Sequence, residues 1–133
     1  MFNKDLLVEM ALKAREKAYA PYSNFKVGAA LLLKDGSYVL GCNVENASYG
    51  LANCAERSAL FSAYSNGYRK DDILEIVVMS KNRFSPCGAC RQVITELMNQ
   101  DAVCTITDME GNYYTMKVSE LLPNSFNEDD LHD

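Results

Sequence analysis

The chain is almost without histidine. Its 133 residues contain one, His132, which lies beside the C-terminus in an acidic segment. Histidine is the usual metal ligand and proton carrier near neutral pH. Any metal site or proton transfer in the core must therefore rely on cysteine, aspartate and glutamate.

Long apolar runs and clusters of positive charge are also missing. No stretch approaches the roughly 18 apolar residues of a membrane span, and an N-terminus with Lys4, Asp5 and Glu9 does not resemble a signal peptide. A cytoplasmic location is therefore expected. The net charge is −5, and the 13 Lys and Arg residues are scattered. Because a polynucleotide-binding surface needs concentrated positive charge, a small ligand is expected rather than a nucleic acid polymer.

Cysteine, in contrast, occurs five times, at Cys42, Cys54, Cys87, Cys90 and Cys104. An odd number in a chain without an export signal argues against a disulfide framework and favours metal ligation or reduced thiols. Cys42 ends a predicted strand and Cys104 lies inside another, so both are interpreted as packing residues.

The predicted elements follow the order α-β-β-α-β-α-β-β. Helices are predicted over 3–19, 54–64 and 85–99, and strands over 27–33, 38–42, 73–80, 102–107 and 112–118. The helix between the third and fourth strands predicts a right-handed parallel crossover. Short turns at 35–36 and 108–111 predict antiparallel pairs. We therefore expect an α/β fold with three α-β-α layers over 1–126, built on a five-stranded mixed sheet whose last two strands are antiparallel. An acidic tail follows at 127–133.

Two short motifs carry the candidate chemistry. Asn53-Cys54-Ala55-Glu56-Arg57 supplies a thiol and a carboxylate, and Ser85-Pro86-Cys87-Gly88-Ala89-Cys90 supplies two more thiols, three positions apart. Each motif opens a predicted helix, where the partial positive charge of the N-terminus favours the thiolate. If the two N-termini meet, three thiolates can bind one zinc ion and leave its fourth position to water. Arg57 is then placed to donate hydrogen bonds to the ligand sulfurs.

Simpler interpretations of these residues stay open. The pair Cys87 and Cys90 has the spacing of a redox dithiol. A structural zinc site would recruit a fourth thiolate from one of the other two cysteines. Asn53 and Glu56 have capping-box spacing, so Asn53 is expected to cap the helix and Glu56 could serve only to close it.

The two motifs resemble the signature of zinc-dependent nucleobase deaminases. Cys54-Ala55-Glu56 followed by Pro86-Cys87-Gly88-Ala89-Cys90 matches the variant in which Cys replaces the first His ligand. Residues 25–30, 41–50 and 121–126 resemble the small homotetrameric cytidine deaminases. This likeness covers essentially the whole chain except the acidic tail.

The resemblance implies a complete reaction. One zinc ion per chain would be held by Cys54, Cys87 and Cys90, and Glu56 would carry protons from the attacking water to N3 and to the departing amine. Cytidine and 2′-deoxycytidine would become uridine and 2′-deoxyuridine with release of ammonia, in pyrimidine salvage. Related zinc deaminases that act on an aminoglycosyl-cytosine antibiotic or on a nucleotide stay open as alternatives.

The resemblance also implies the substrate contacts. Asn43 and Glu45 resemble the pair that holds the ribose 3′-hydroxyl, and Phe25 the aromatic against the base. An amide and a carboxylate suit a neutral sugar diol, whereas Glu45 would repel a phosphate. The pyrimidine edge would be read by the backbone of Ala55 and Ser85. The residues that would enter the pocket from neighbouring subunits of a homotetramer are Ala47, Tyr49 and Phe126.

Overall fold

The computed structural model describes residues 4–81 and 88–122. The described elements are, in chain order, α1 (Lys4–Glu16), β1 (Gly28–Leu33), β2 (Tyr38–Cys42), α2 (Ala55–Ser65), β3 (Ile73–Met79), α3 (Gly88–Leu97), β4 (Val103–Thr107) and β5 (Tyr113–Lys117). Single 3-10 turns occupy Tyr49–Leu51, Lys70–Asp72 and Val118–Glu120. The predicted order of helices and strands is confirmed, and most bounds agree within one or two residues.

The strands form one mixed sheet in the order β2-β1-β3-β4-β5. β3 and β4 are parallel, as the predicted crossover requires, and the other neighbouring pairs are antiparallel. The interior strand β1 pairs on both edges, so that Leu31 lies opposite Val39 on one side and Ile76 on the other. The expected five-stranded mixed sheet with an antiparallel final pair is confirmed.

Helices cover both faces of the sheet, which explains why every residue of β1 is buried. On one face, Leu7 and Ala11 of α1 pack against Ala30, Leu32 and their neighbours from β3. On the other face, α2 and α3 join a larger core. Its most deeply buried large side chains include Leu31, Leu33, Leu60, Ile76, Ile94 and Ile106. The three expected layers are therefore present.

The first helix ends earlier than predicted. The sequence pattern predicts a helix to residue 19, but α1 stops at Glu16. Tyr19 is instead extended: its N–H donates to the carbonyl of Asn43 (3.0 Å), and its carbonyl accepts from the N–H of Glu45 (2.8 Å). Pairing with a distant segment therefore replaces the last helical turn.

Asn53 is not the helix cap that its spacing suggests. Its backbone N–H and carbonyl both pair with Val44, each at 2.9 Å, and this bridge keeps residue 53 extended. The helix therefore begins one residue later, with Cys54 at the N-cap position and no side-chain cap. The side chain of Asn53 donates to Ser58 Oγ at 3.4 Å. With the N-cap at Cys54, Glu56 is no longer at the capping-box position.

Several predictions fall outside the described residues. They are the helix start at Ser85 and Pro86, and the acidic tail with His132. Within 4–81 and 88–122, no helix combines the length and the apolar character needed to cross a bilayer.

Candidate active site

Glu56 is a buried carboxylate in the first turn of α2. Only 4% of its surface is exposed, although the residue is charged in its ordinary state. Burial raises the pKa of the Glu56 carboxyl, against smaller opposing effects from its own backbone N–H and from the charge of Arg57. A carboxyl group with a raised pKa is suited to accept and release protons near neutrality.

Two of the predicted ligand thiols meet beside this carboxylate. Cys54, at the N-cap of α2, and Cys90, in the first turn of α3, bring their sulfur atoms into direct contact. The sulfurs and a Glu56 carboxylate oxygen all lie within 4.8 Å of one another. The Cα atoms of the two cysteines are 7.3 Å apart, which is wider than the roughly 4.4–6.8 Å usual for a disulfide. The pair therefore fits a shared metal ion better than a covalent bridge.

Arg57 places a positive charge beside these thiols. Its Nε donates a hydrogen bond to Cys54 Sγ at 3.1 Å, the sulfur that the sequence predicts as a metal ligand. A guanidinium keeps its charge at every accessible pH. Together with the partial positive charge at the start of α2, it favours the thiolate form of Cys54.

The other two cysteines of the described chain lie elsewhere. Cys104 is fully buried inside β4, and Cys42 is half-buried at the end of β2. Among the described residues, neither belongs to the cluster of metal-binding side chains. Their interpretation as packing residues agrees with these positions.

Asn43 ties the end of β2 to the loop before β1. Its Oδ1 accepts from the Val27 N–H (2.9 Å), and its Nδ2 donates to the Phe25 carbonyl (2.8 Å). An amide has two N–H groups and two lone pairs, so at most one of each is left for a ligand. Asn43 thus holds the half-buried Phe25 in place and keeps some capacity to bind.

Glu45 is held by three donors from the same loop. Its Oε1 accepts from the N–H groups of Tyr22 (3.0 Å) and Ser23 (3.1 Å), and its Oε2 accepts from the Ser23 hydroxyl. These contacts lower the pKa of the Glu45 carboxyl, with the Ser23 hydroxyl as the largest cause, although partial burial opposes them. The side chain is therefore a fixed carboxylate.

A cleft of about 210 Å³ lies beside Glu45. It is lined by Tyr22, Ser23, Glu45, Asn46 and Ala52. Ala52 lies two residues before Cys54, and the bridge between residues 44 and 53 joins the two sides. The loop that carries the predicted sugar contacts is thus fastened directly beside the thiol and carboxylate motif.

The remaining predicted site residues are distributed as follows. Ala55 is the fully buried first residue of α2, so its N–H has no partner inside the helix. Ala47 is exposed, and Tyr49 begins a 3-10 turn between β2 and α2. Ser85, Cys87 and Phe126 lie outside the described residues.

Sequence reasoning did not identify Ser23 and Tyr22 as part of the site. Both stand in a short loop whose composition indicates a turn and nothing more. Their role depends on the side chain of Glu45, more than twenty residues away in the sequence. No local pattern could have shown it.

The two thiols fit zinc, for which thiolates are preferred ligands in proteins, and the carboxylate lies beside them. Two thiols, one carboxylate, a helix N-terminus and a guanidinium meet at one buried point of a three-layer α/β fold. This combination defines the class of metal-dependent hydrolytic enzymes in which a carboxylate beside the metal moves protons.

Comparison with known proteins identifies the family. Residues 1–106 match the model of the cytidine and deoxycytidylate deaminase zinc-binding region, and the chain belongs to this family. It is 50% identical over 131 residues to a cytidine deaminase of Halalkalibacterium halodurans, covering 98% of this chain and 99% of that one. It is 40% identical over 121 residues to a cytidine deaminase of Mycobacterium tuberculosis, covering 91% and 87%.

Solved structures agree with this assignment. The crystal structure of a cytidine deaminase from Burkholderia pseudomallei superposes with a TM-score of 0.91 at 52% identity, covering 94% of this chain and all of the other. That of a cytidine deaminase from Mycobacterium leprae gives a TM-score of 0.79 at 37% identity, covering 93% and 100%. The fold expected from the sequence is therefore that of cytidine deaminases.

Proposed function

We propose that this protein hydrolyses cytidine and 2′-deoxycytidine to uridine and 2′-deoxyuridine, with release of ammonia. The observation that carries the proposal is the buried Glu56, with its raised pKa, beside the meeting thiols of Cys54 and Cys90. The relatives reported above, which are cytidine deaminases by name, support the same activity.

In this proposal Cys54, Cys87 and Cys90 hold one zinc ion per chain. Cys87 lies outside the described residues, and its assignment rests on the motif that it shares with Cys90. When bound, zinc supplies the Lewis acidity that lowers the pKa of a water molecule toward neutrality. Three thiolates would give the site a formal charge of −1. The hydrogen bond from Arg57 and the N-terminus of α2 offset that excess.

Glu56 is the proton carrier of the proposed reaction. It takes a proton from the attacking water and delivers it to N3, while a C–O bond forms at C4 of the pyrimidine. It then takes the remaining proton from the new C4 hydroxyl and delivers it to the amine, so that C4 becomes a carbonyl, the C4–N bond breaks and ammonia departs. Among the described residues no histidine is available for this work, and the raised pKa of Glu56 lets one group serve as both base and acid.

The proposed substrate contacts are those that the family resemblance implies, and one of them, Glu45, lines the cleft. Glu45 accepts a hydrogen bond from the ribose 3′-hydroxyl and Asn43 completes the pair, while Phe25 lies against the base. The N–H of Ala55 reads the pyrimidine edge, as does Ser85. Because Glu45 is a fixed carboxylate, a phosphate at the same place would meet like charge. This favours nucleosides over nucleotides.

The proposed assembly is a homotetramer in which Ala47, Tyr49 and Phe126 enter pockets of neighbouring subunits. Two large, exposed apolar side chains support an interface: Leu51 is 72% exposed and Phe61, on α2, is 44% exposed. The proposed setting is cytoplasmic pyrimidine salvage, because the released nucleosides are reusable. Sedimentation analysis and cell fractionation test these two points.

The decisive variant is Glu56→Gln, which keeps the shape of the side chain and removes its proton chemistry. We expect the turnover of cytidine to fall by about 10⁴-fold, the upper end for acid–base groups, because one residue serves in both directions. Zinc content should stay near one per chain. Glu75→Gln is the matched control, since Glu75 is another buried glutamate, 3% exposed, whose Oε2 accepts a hydrogen bond from Thr105 Oγ1 at 2.7 Å.

Two outcomes would contradict the assignment of Glu56. One is a Glu56→Gln enzyme that keeps most of its activity. The other is a Glu56→Gln enzyme that loses zinc together with activity, which would make the residue a metal ligand. If the Glu75→Gln control loses activity equally, the effect comes from removing any buried carboxylate, and the specific role of Glu56 fails.

A further inference from the structure

We propose that Ser23 is a positioning residue that aims the Glu45 carboxylate at the sugar of the substrate. This inference rests on the proposed function, in which Glu45 binds the ribose 3′-hydroxyl. Neither the cysteine motifs nor the resemblance points to Ser23. The inference comes from the hydrogen bonds that surround its side chain.

The Ser23 hydroxyl has one proton, and its direction is fixed. The N–H of Phe25 donates to Ser23 Oγ at 3.0 Å, which occupies one lone pair of the hydroxyl oxygen. The hydroxyl then donates to Glu45 Oε2. The backbone N–H of the same serine donates to Glu45 Oε1 at 3.1 Å. One residue therefore contacts both oxygens of the carboxylate.

Glu45 is also fixed at its backbone. Its N–H donates to the Tyr19 carbonyl at 2.8 Å, just before the loop that carries Ser23. The N–H of Tyr22 gives Oε1 a second donor at 3.0 Å. A carboxylate offers about four lone-pair sites, and these three donors occupy three of them. The geometry leaves roughly one site, with a defined direction, for a ligand hydroxyl.

Without the Ser23 hydroxyl, Oε2 would lose its donor from the loop. The carboxylate could then rotate and accept hydrogen bonds from water. Binding of a sugar hydroxyl would have to restore its orientation, and the free-energy cost of this ordering would lower the affinity. The Ser23 hydroxyl is also the largest cause of the lowered pKa of the Glu45 carboxyl. The same contact thus keeps Glu45 charged and directed.

A simpler role for Ser23 is to shape the loop. The hydrogen bond from the Phe25 N–H to the Ser23 hydroxyl is a local turn contact of the kind that serines often make. In that case Ser23→Ala would disturb the whole loop, including Phe25, and would weaken all substrates equally. The two roles therefore differ in whether the effect depends on the 3′-hydroxyl.

The test compares Ser23→Ala with the wild-type enzyme on cytidine and on 3′-deoxycytidine. With cytidine we expect KM to rise roughly tenfold, as for the loss of one hydrogen bond to a charged group, while kcat stays within about twofold. With 3′-deoxycytidine the two enzymes should have nearly equal kcat/KM, because Glu45 then has no hydroxyl to bind. Ser23→Thr keeps a hydroxyl and should restore most of the affinity for cytidine.

Ser37→Ala is the matched control. The Ser37 hydroxyl also donates to a nearby carboxylate, Asp35 Oδ1, at 2.6 Å, and its N–H contacts the same oxygen at 2.9 Å, in the exposed turn between β1 and β2. This change removes the same kind of contact away from the cleft. It should leave KM for cytidine unchanged.

Two results would overturn the proposal for Ser23. They are an unchanged KM for cytidine in Ser23→Ala, and an equal loss on cytidine and 3′-deoxycytidine. If Ser23→Ala folds poorly, Ser23→Cys, which replaces the hydroxyl with a weak thiol donor, gives the same comparison, with Ser23→Thr as the variant that keeps the hydroxyl. A wild-type protein that deaminates cytidine while Ser23→Ala or Ser23→Cys behaves like it defeats only this inference. An inactive zinc-loaded wild type defeats the proposed function itself.

Discussion

Replacing Gly41 by alanine tests how the sheet positions the active site. Gly41 lies in β2, directly against the helix that begins with Cys54 and Glu56. A Cβ atom at this position would lie 2.6 Å from the carbonyl oxygen of Ala55 and 2.9 Å from the Cα of Ala59. Ordinary contact requires about 3.5 Å, so α2 would have to move by nearly 1 Å. Both obstacles are backbone atoms, which no side-chain rotation can remove.

The expected effects of Gly41→Ala follow from that displacement. Inserting a methyl group into a filled interface costs about 1–3 kcal/mol, and the backbone clash places this case near the upper end. A loss of about 3 kcal/mol corresponds to roughly 10 °C in Tm for a chain of this size. A misplacement of about 1 Å in catalytic groups can lower the rate by about 10²-fold. Thermal unfolding, zinc content and cytidine turnover, measured on one preparation, give all three quantities.

Gly28→Ala is the matched control for this prediction. Its Cβ would clash with the backbone of α1, lying 2.8 Å from Arg15 Cα, on the opposite face of the sheet. We expect a similar loss of Tm, but zinc content close to that of the wild type. The reasoning is refuted if Gly41→Ala keeps wild-type stability and turnover. It is also refuted if both variants lose zinc to the same extent.

Two further predictions concern charge. Arg57→Gln removes the donor to Cys54 Sγ and should weaken zinc retention by about 10- to 100-fold, as measured by competition with a chelator. Arg69→Gln is the control, because Arg69 follows α2 and precedes the turn Lys70–Asp72, and it should not change zinc retention. Equal retention in both variants would contradict the role of Arg57. The pKa of the Asp35 carboxyl is lowered from its ordinary 3.8, first by the Ser37 hydroxyl, then by the Ser37 N–H and the Tyr68 hydroxyl. The charged Asp35 therefore stabilises the fold above pH 3.8, and this stabilisation is lost as the pH falls through the lower pKa of the folded state. Asp35→Asn should therefore lower Tm at pH 7, and the difference in Tm from the wild type should shrink below about pH 4. A Tm difference that does not change with pH would contradict this role of the Asp35 charge.

Local sequence patterns were sufficient to predict most of the elements. The apolar run 28–33, the turn at 35–36 and the strand that returns from it have signals within a few residues. Gly36, with a φ of 88°, occupies the left-handed position that such a turn requires. Local hydrogen bonds and apolar runs decide these elements, and both can be recognised in the sequence.

The mistakes lie where distant segments pair. The end of α1 and the start of α2 each moved because Tyr19 and Asn53 form bridges to Val44. Cap and periodicity rules cannot detect such partners. The antiparallel pairing of β1 with β3 also has no local signal, since the two strands are separated by β2 and α2. The sequence therefore predicted the elements but not the order of strands.

The site shows the same contrast between features with a sequence signal and contacts between distant segments. The meeting of Cys54, Glu56 and Cys90 could be predicted because their two motifs both open helices and together resemble the signature of zinc-dependent deaminases. The structure brings them within 4.8 Å of one another. The contacts of Ser23 with Glu45 could not be predicted, because serine in a turn is common and its partner is remote in the chain.

The central claim is that this chain is a zinc-dependent cytidine deaminase, and one measurement tests it most directly. Freshly purified protein is analysed for zinc, and the same sample is incubated with cytidine, 2′-deoxycytidine and cytidine monophosphate while ammonia and the uracil products are quantified. We predict one zinc per chain, equal amounts of ammonia and uridine or deoxyuridine from the two nucleosides, and little turnover of the monophosphate. Zinc-loaded protein that releases no ammonia from either nucleoside would contradict the account.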